Sequence, residues 1–154
     1  MQTLNLPFYP FKLREQRGKF YIFDEVRRKY IILSPEEWVR QHLIQFLVLE
    51  KNYPKGLIRV ESGLILYTLR KRSDILILDR NGNNLLLGEC KAPGVKLSPM
   101  VLDQAARYNQ TYLAPFIVIS NGLQTLACRI DHRKRTYEVL DEVPSFSSSL
   151  WPDY

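Results

Sequence analysis

The chain has 154 residues, 45% hydrophobic and 25% charged, enough apolar content for one globular unit with a real core and too much for disorder along its whole length. Lysine and arginine number 22 against 16 acidic residues, a net charge of +6 that tilts toward a polyanionic partner such as nucleic acid. No apolar run approaches a membrane-spanning length, and Met1 to Phe11 lacks the basic start and apolar block of a signal peptide, so a cytoplasmic protein without membrane association is expected.

Phe20 to Phe23 and Arg27 to Leu33 read as two short strands with a turn near Asp24-Glu25. Ser34-Pro35-Glu36-Glu37 has an N-cap serine, a proline at the first helical position and a glutamate at the third, the pattern of a capping box. The helix it opens should run to about Lys51, with Val39, Leu43, Phe46 and Leu47 as its buried stripe. A β block follows. Leu57 to Leu69 reads as one long strand or a bent pair with a bulge at Gly63, Ser73 to Asp79 as a second strand, and Leu85 to Ala92 as a third after the Asn81-Gly82-Asn83 turn.

Ser98-Pro99 repeats the helix-start signal, for a helix to about Tyr112 that Pro115 breaks. Phe116 to Ser120 is an apolar strand, and Leu123 to Asp131 pairs with Thr136 to Leu140 around the basic turn His132 to Arg135. The tail, 145–154, reads as loose. The order describes an α/β (α+β) fold with one mixed sheet flanked by helices, divided into a β extension (1–33), a core (34–122), a C-terminal hairpin (123–144) and the tail. Cys90 and Cys128 sit in apolar stretches and read as reduced core thiols; His42 and His132 lie far apart without cysteine pairs, so a zinc site is not expected.

Asp74 opens the second strand of the β block, and Glu89 and Lys91 lie two apart on the third, so they share a face. A hairpin of this length sets Asp74 near both. Two neighbouring carboxylates repel and need a cation, and oxygen ligands alone suit Mg²⁺ or Mn²⁺. Taken singly, Glu89 and Lys91 also read as a surface ion pair, and Asp74 as a turn or cap residue.

The string Arg72-Ser73-Asp74-Ile75, then Gly88-Glu89-Cys90-Lys91-Ala92-Pro93, then Gln104 and Tyr108 at QxxxY spacing, resembles the PD-(D/E)XK nuclease superfamily, and within it the N-terminal nuclease domain of type I restriction enzyme R subunits. The resemblance covers roughly Pro35 to Gly122, with Ser73 where the superfamily name has proline. It implies a restriction-endonuclease-like αβββαβ core and Mg²⁺-dependent hydrolysis of DNA phosphodiester bonds. Asp74, Glu89 and the Cys90 backbone carbonyl would hold the metal, Lys91 would act on the attacking water or the developing charge, and Gln104 and Tyr108 would lie beside Lys91 and the DNA backbone. Cys90 itself would point its thiol into the core.

The family also has an acidic residue on the first helix. Glu36, on the expected inward stripe and four before Arg40 as in the R subunits, takes that role here; Glu37 is accounted for by the capping box. Arg70-Lys71-Arg72, next to Asp74, is the expected DNA contact, whereas Arg27-Arg28-Lys29 and Arg133-Lys134-Arg135 read as solvated turns. No GxxxxGK[ST] string occurs, so an ATP-driven motor is not expected. Expected partners are DNA and either a second copy or other restriction or repair subunits. The alternatives are a non-catalytic nucleic-acid-binding module of the same fold and a partner-binding protein that docks through its tail.

Overall fold

Runs of leucine, isoleucine and valine without polar alternation suit strands covered on both faces, and three such runs build the centre of the molecule. The computed structural model describes residues 1–60, 63–66, 69–72 and 74–146, with 63–66 and 69–72 described for their backbone. A three-stranded antiparallel sheet comes first: β1 (Leu13–Gln16), β2 (Lys19–Asp24) and β3 (Lys29–Ile32). Helix α1 (Pro35–Leu49) follows, then β4 (Ile58–Val60), a separate hairpin of β5 (Gly63–Leu66) and β6 (Leu69–Arg72), then β7 (Ile75–Leu78) and β8 (Asn84–Cys90). Helix α2 (Pro99–Asn109), β9 (Phe116–Ser120), β10 (Thr125–Asp131) and β11 (Thr136–Leu140) complete it.

The central sheet has six strands in the order β11-β10-β9-β8-β7-β4. Only β8 and β9 run parallel, which requires a crossover, and α2 lies in that crossover. Period-two alternation divides the apolar residues cleanly. Ile75, Ile77, Leu86, Phe116 and Val118 pack with Val39, Leu43, Ile44 and Leu47 of α1, whereas Leu76, Leu87, Ile117 and Ile119 pack with Ala105 and Tyr112 on the α2 side. The mixed sheet between two helices is the architecture expected from the sequence.

Several local readings change. Strand β1 was not legible because all four of its residues are exposed and show no alternation. The expected single strand from Leu57 to Leu69 is divided: β4 pairs with β7, and β5 pairs with β6 instead, so Gly63 opens a new hairpin rather than a bulge. The bulge lies between Ile77 and Leu78, beside the turn where Asp79 Oδ1 accepts the N–H groups of Asn81 and Asn83. Helix α2 stops at Asn109, short of Tyr112, because the buried Asn109 side chain donates to the Ala114 carbonyl at 2.7 Å and accepts its N–H at 3.1 Å. The tail is held at its start, where Phe146 packs edge-on against Tyr53 and its N–H bonds the Lys51 carbonyl; 147–154 lie outside the described residues. Both cysteines are free and buried.

Asp74 and Glu89 meet only if β7 and β8 pair closely, and Gly88 stands opposite Ile75 in that pairing. A Cβ at Gly88 would come within 2.9 Å of Ile75 Cβ, an atom fixed to the backbone. Gly88→Ala is therefore expected to lower stability by about 1–3 kcal/mol, read as a shifted urea midpoint; an unchanged midpoint would refute this close approach.

Candidate functional site

The β2–β3 turn begins the chain of contacts that leads to the site. Asp24 Oδ1 accepts the N–H groups of Val26 and Arg27 at 2.8 and 2.9 Å, and its Oδ2 accepts Arg27 Nε at 2.6 Å and Gln41 Nε2 at 2.9 Å. Burial acts to raise the pKa of this carboxyl, but the Arg27 N–H, its guanidinium and Gln41 outweigh burial and hold it below the ordinary carboxylate range. Arg27 also donates to Glu37, whose second oxygen takes Arg40. Arg40 Nη2 donates to Asp74 Oδ1 at 3.0 Å and lies 3.3 Å from Glu36 Oε1. Asp74 Oδ2 accepts the Cys90 N–H at 2.7 Å. A continuous ionic relay thus joins the N-terminal sheet, α1, the start of β7 and the end of β8.

This relay corrects three sequence readings. Ser34 Oγ does accept the Glu37 N–H at 3.0 Å, but the Glu37 carboxylate serves the two arginines instead of returning to the helix start. The inward glutamate is Glu37, with a side chain 3% exposed, whereas that of Glu36 is 48% exposed. The reason is that the buried face of α1 begins with polar residues, Glu37, Arg40 and Gln41, which an apolar stripe does not reveal. Arg27, placed among solvated basic residues, is largely buried against Asp24 and Glu37. The i, i+3 spacings Asp24/Arg27 and Glu37/Arg40 were the available signal, but spacing alone does not show that the two pairs are joined.

At the far end of the relay three acids gather. Glu89 follows Leu87 on the α2 face of the sheet, hydrogen-bonds Asp74 and is largely buried. Burial first, then the charge and hydrogen bond of Asp74, push its pKa up to about 8, with Lys91 opposing. The Glu36 carboxyl is also raised, by partial burial and by Asp74, against the opposing charges of Arg40 and Lys91. Tyr108 brings its hydroxyl from α2, 3.4 Å from that of Tyr112; burial and Tyr112, with smaller effects from Glu89 and Asp74, make it hard to ionise. Lys91 is half-buried just beyond β8, with its N–H on the Ser120 carbonyl.

The fold therefore brings together Glu36, Asp74, Glu89, Lys91 and Tyr108. Gln104 is exposed on α2 and makes no hydrogen bond to this group among the described residues. The Cys90 side chain turns to the α1 side of the core. The backbone of Arg70, Lys71 and Arg72 lies in β6, opposite 63–65, and their side chains lie outside the described residues. Among the described residues, no three histidine, cysteine, aspartate or glutamate side chains stand at metal-ligand spacing. The donors nonetheless suit a hard cation: they are carboxylate oxygens, and burial together with repulsion from Asp74 favours a proton on Glu89 at neutral pH against the opposing charge of Lys91.

Two outcomes follow from the relay and its acids. Glu37→Gln removes the charge shared by Arg27 and Arg40 and should lower stability by about 3–5 kcal/mol in urea denaturation; a loss below about 1 kcal/mol would reduce the relay to a surface pair. Between pH 4.5 and about 8 the folded protein holds the Glu89 proton and the unfolded chain does not, so this residue makes stability fall as pH rises through that window. Glu89→Gln should flatten that decline in thermal melts recorded without divalent metal, and an equally steep decline in the variant would contradict the shift.

The chain as a whole has counterparts among known proteins. The profile of the type I restriction enzyme R protein N terminus (HSDR_N) matches residues 35–144, from the start of α1 to just past β11. No curated protein matches the chain. Among solved structures, the fragment structure assigned as an HsdR subunit of a type I restriction enzyme from Vibrio vulnificus YJ016 shares the fold, with a TM-score of 0.54 and 17% identity over 73% of this chain. The match spans 24% of that longer chain. With the profile matching well over half of its length, from the acidic first helix through both sides of the acid cluster, the chain belongs to the type I restriction enzyme R protein N-terminus family.

Proposed function

We propose that this chain is a metal-dependent DNA endonuclease domain that hydrolyses phosphodiester bonds. The observation that carries the reading is the meeting of Asp74 and Glu89, from separate strands, beside Lys91. Asp74, Glu89 and the Cys90 carbonyl would hold Mg²⁺ or Mn²⁺, which when bound would acidify a water and neutralise phosphate charge. The Glu89 proton is the positive charge such an ion would replace. Lys91, close enough to lower the pKa of both Glu36 and Glu89, is placed to orient that water or to stabilise charge developing on the phosphate. Glu36 would support the site from the solvent side, Tyr108 would lie near Glu89 from α2, and Gln104 is exposed one turn earlier on α2, where a DNA backbone can reach it. Arg70, Lys71 and Arg72 precede Asp74 in the chain and would add phosphate contacts there. Cutting both strands needs two such sites, which a second copy or the other restriction or repair subunits would supply.

One observation favours a second reading. Arg40 already occupies Asp74 Oδ1, and a guanidinium held there permanently would leave a nucleic-acid-binding module with a structural acid cluster. Two measurements separate the readings. Calorimetric titration with Mn²⁺ should detect binding that strengthens as pH rises toward 8, because Glu89 must lose its proton. Nicking of supercoiled plasmid should require Mg²⁺ or Mn²⁺ and fall at least ~100-fold in Lys91→Ala, with Mn²⁺ binding retained. DNA binding without either metal binding or cleavage would establish the second reading; cleavage unaffected by Lys91→Ala would remove the assigned mechanism.

A further inference from the structure

At the other end of the sheet from the acid cluster, α2 and the β10–β11 hairpin enclose a second feature, a groove of about 430 Å³. Asp103 and Arg107 of α2, with Gln110 just past its end, line one side, and His132, Arg135 and Tyr137 of the hairpin line the other. We propose that this groove holds the phosphodiester backbone of DNA at a distance from the acid cluster; this rests on the nuclease reading and names where that substrate is gripped.

The charges are arranged for a polyanion. Arg107 and Arg135 face the groove from opposite walls, and Arg133 and Lys134 extend the positive charge over the hairpin tip. None of these four makes an ion pair among the described residues. The nearby acids are already engaged. Asp131 accepts the N–H groups of Arg133 and Lys134, both at 3.0 Å, Glu138 pairs with Arg129, and Asp103 accepts the Tyr137 hydroxyl at 3.2 Å. Arg107, Arg133, Lys134 and Arg135 outnumber the carboxylates of Asp103 and Asp131 beside them, so the groove and hairpin tip carry a net positive charge for an external anion.

The walls are also held in place before any ligand arrives. The Tyr137–Asp103 bond ties the hairpin to α2, and His132 Nε2 lies 2.9 Å from the Ala114 carbonyl beneath the groove. Arg135 adopts φ +54°, a left-handed conformation that glycine or asparagine accepts with less strain. An arginine there maintains a charge at the turn at some local cost. Arg107 precedes Tyr108, about 100° around the helix, so the groove and Tyr108 occupy different faces of the last turn of α2.

The test is fluorescence anisotropy of a labelled DNA duplex, without divalent metal, at a series of NaCl concentrations. Arg107→Glu/Arg135→Glu should weaken binding at least ~10-fold and reduce the slope of log K against log salt by about two. The neutral pair Arg107→Gln/Arg135→Gln should weaken it less, in the same direction, and circular dichroism melts check that both remain folded. Lys19→Glu/Lys29→Glu changes the net charge equally on the three-stranded sheet and serves as the control. Equal weakening by the groove pair and the control pair would overturn the groove assignment, as would no weakening while the unaltered protein binds DNA. Failure of the unaltered protein to bind DNA would instead overturn the nuclease reading beneath it.

Discussion

Arg40 is the contact on which the geometry of the site depends. Its guanidinium is almost fully buried, and a buried cation must be matched by carboxylates held at bonding distance. Glu37 meets it from its own helix, and Asp74 meets it from the start of β7. The helix cannot slide along the sheet without separating one of these pairs in a low-dielectric setting. Glu37 is in turn shared with Arg27, which Asp24 and the β2–β3 turn hold in place. The N-terminal sheet therefore determines where Asp74 is held, although it contributes no group to the acid cluster.

The sheet places the remaining groups. Its central strands are apolar on both faces until the last residues of β8, where Leu85, Leu86 and Leu87 give way to Glu89 and, beyond the strand, Lys91. Alternation sends Cys90 to the α1 core and Glu89 to the α2 side, where its charge reaches Tyr108. The acids are thus gathered where the two helices flank one end of the β7–β8 hairpin. Burial there disfavours the charged form of Glu89, and the neighbouring Asp74 adds repulsion, so Glu89 holds its proton near neutrality. A site in this condition is poised for a positive charge, either the divalent ion of the nuclease reading or the guanidinium already present.

Much of this was legible in the residues. The turn around Asn81-Gly82-Asn83 and the length of the hairpin were enough to place Asp74 near Glu89. Both Ser-Pro helix starts also lie at the helix beginnings, although only Ser34 makes the side-chain cap. The polar inner face of α1 was not legible, because Glu37, Arg40 and Gln41 look like solvated residues until their partners from other segments are known. The division of Leu57 to Leu69 was hidden for a similar reason: an apolar strand does not state which neighbour it will pair with.

The amino-acid order alone determined the alternation of strands and helices, the two-sided burial of the central strands and the family signature. These depend on local periodicity, turn chemistry and spacing, which act over a few residues. Only the tertiary structure decided which glutamate of the first turn is buried, that Arg27 and Arg40 belong to one relay, and that Arg107 and Arg135 face a common groove. Those outcomes depend on charges brought together from distant segments, and the energy of a charge depends on burial and on partners that no single segment contains.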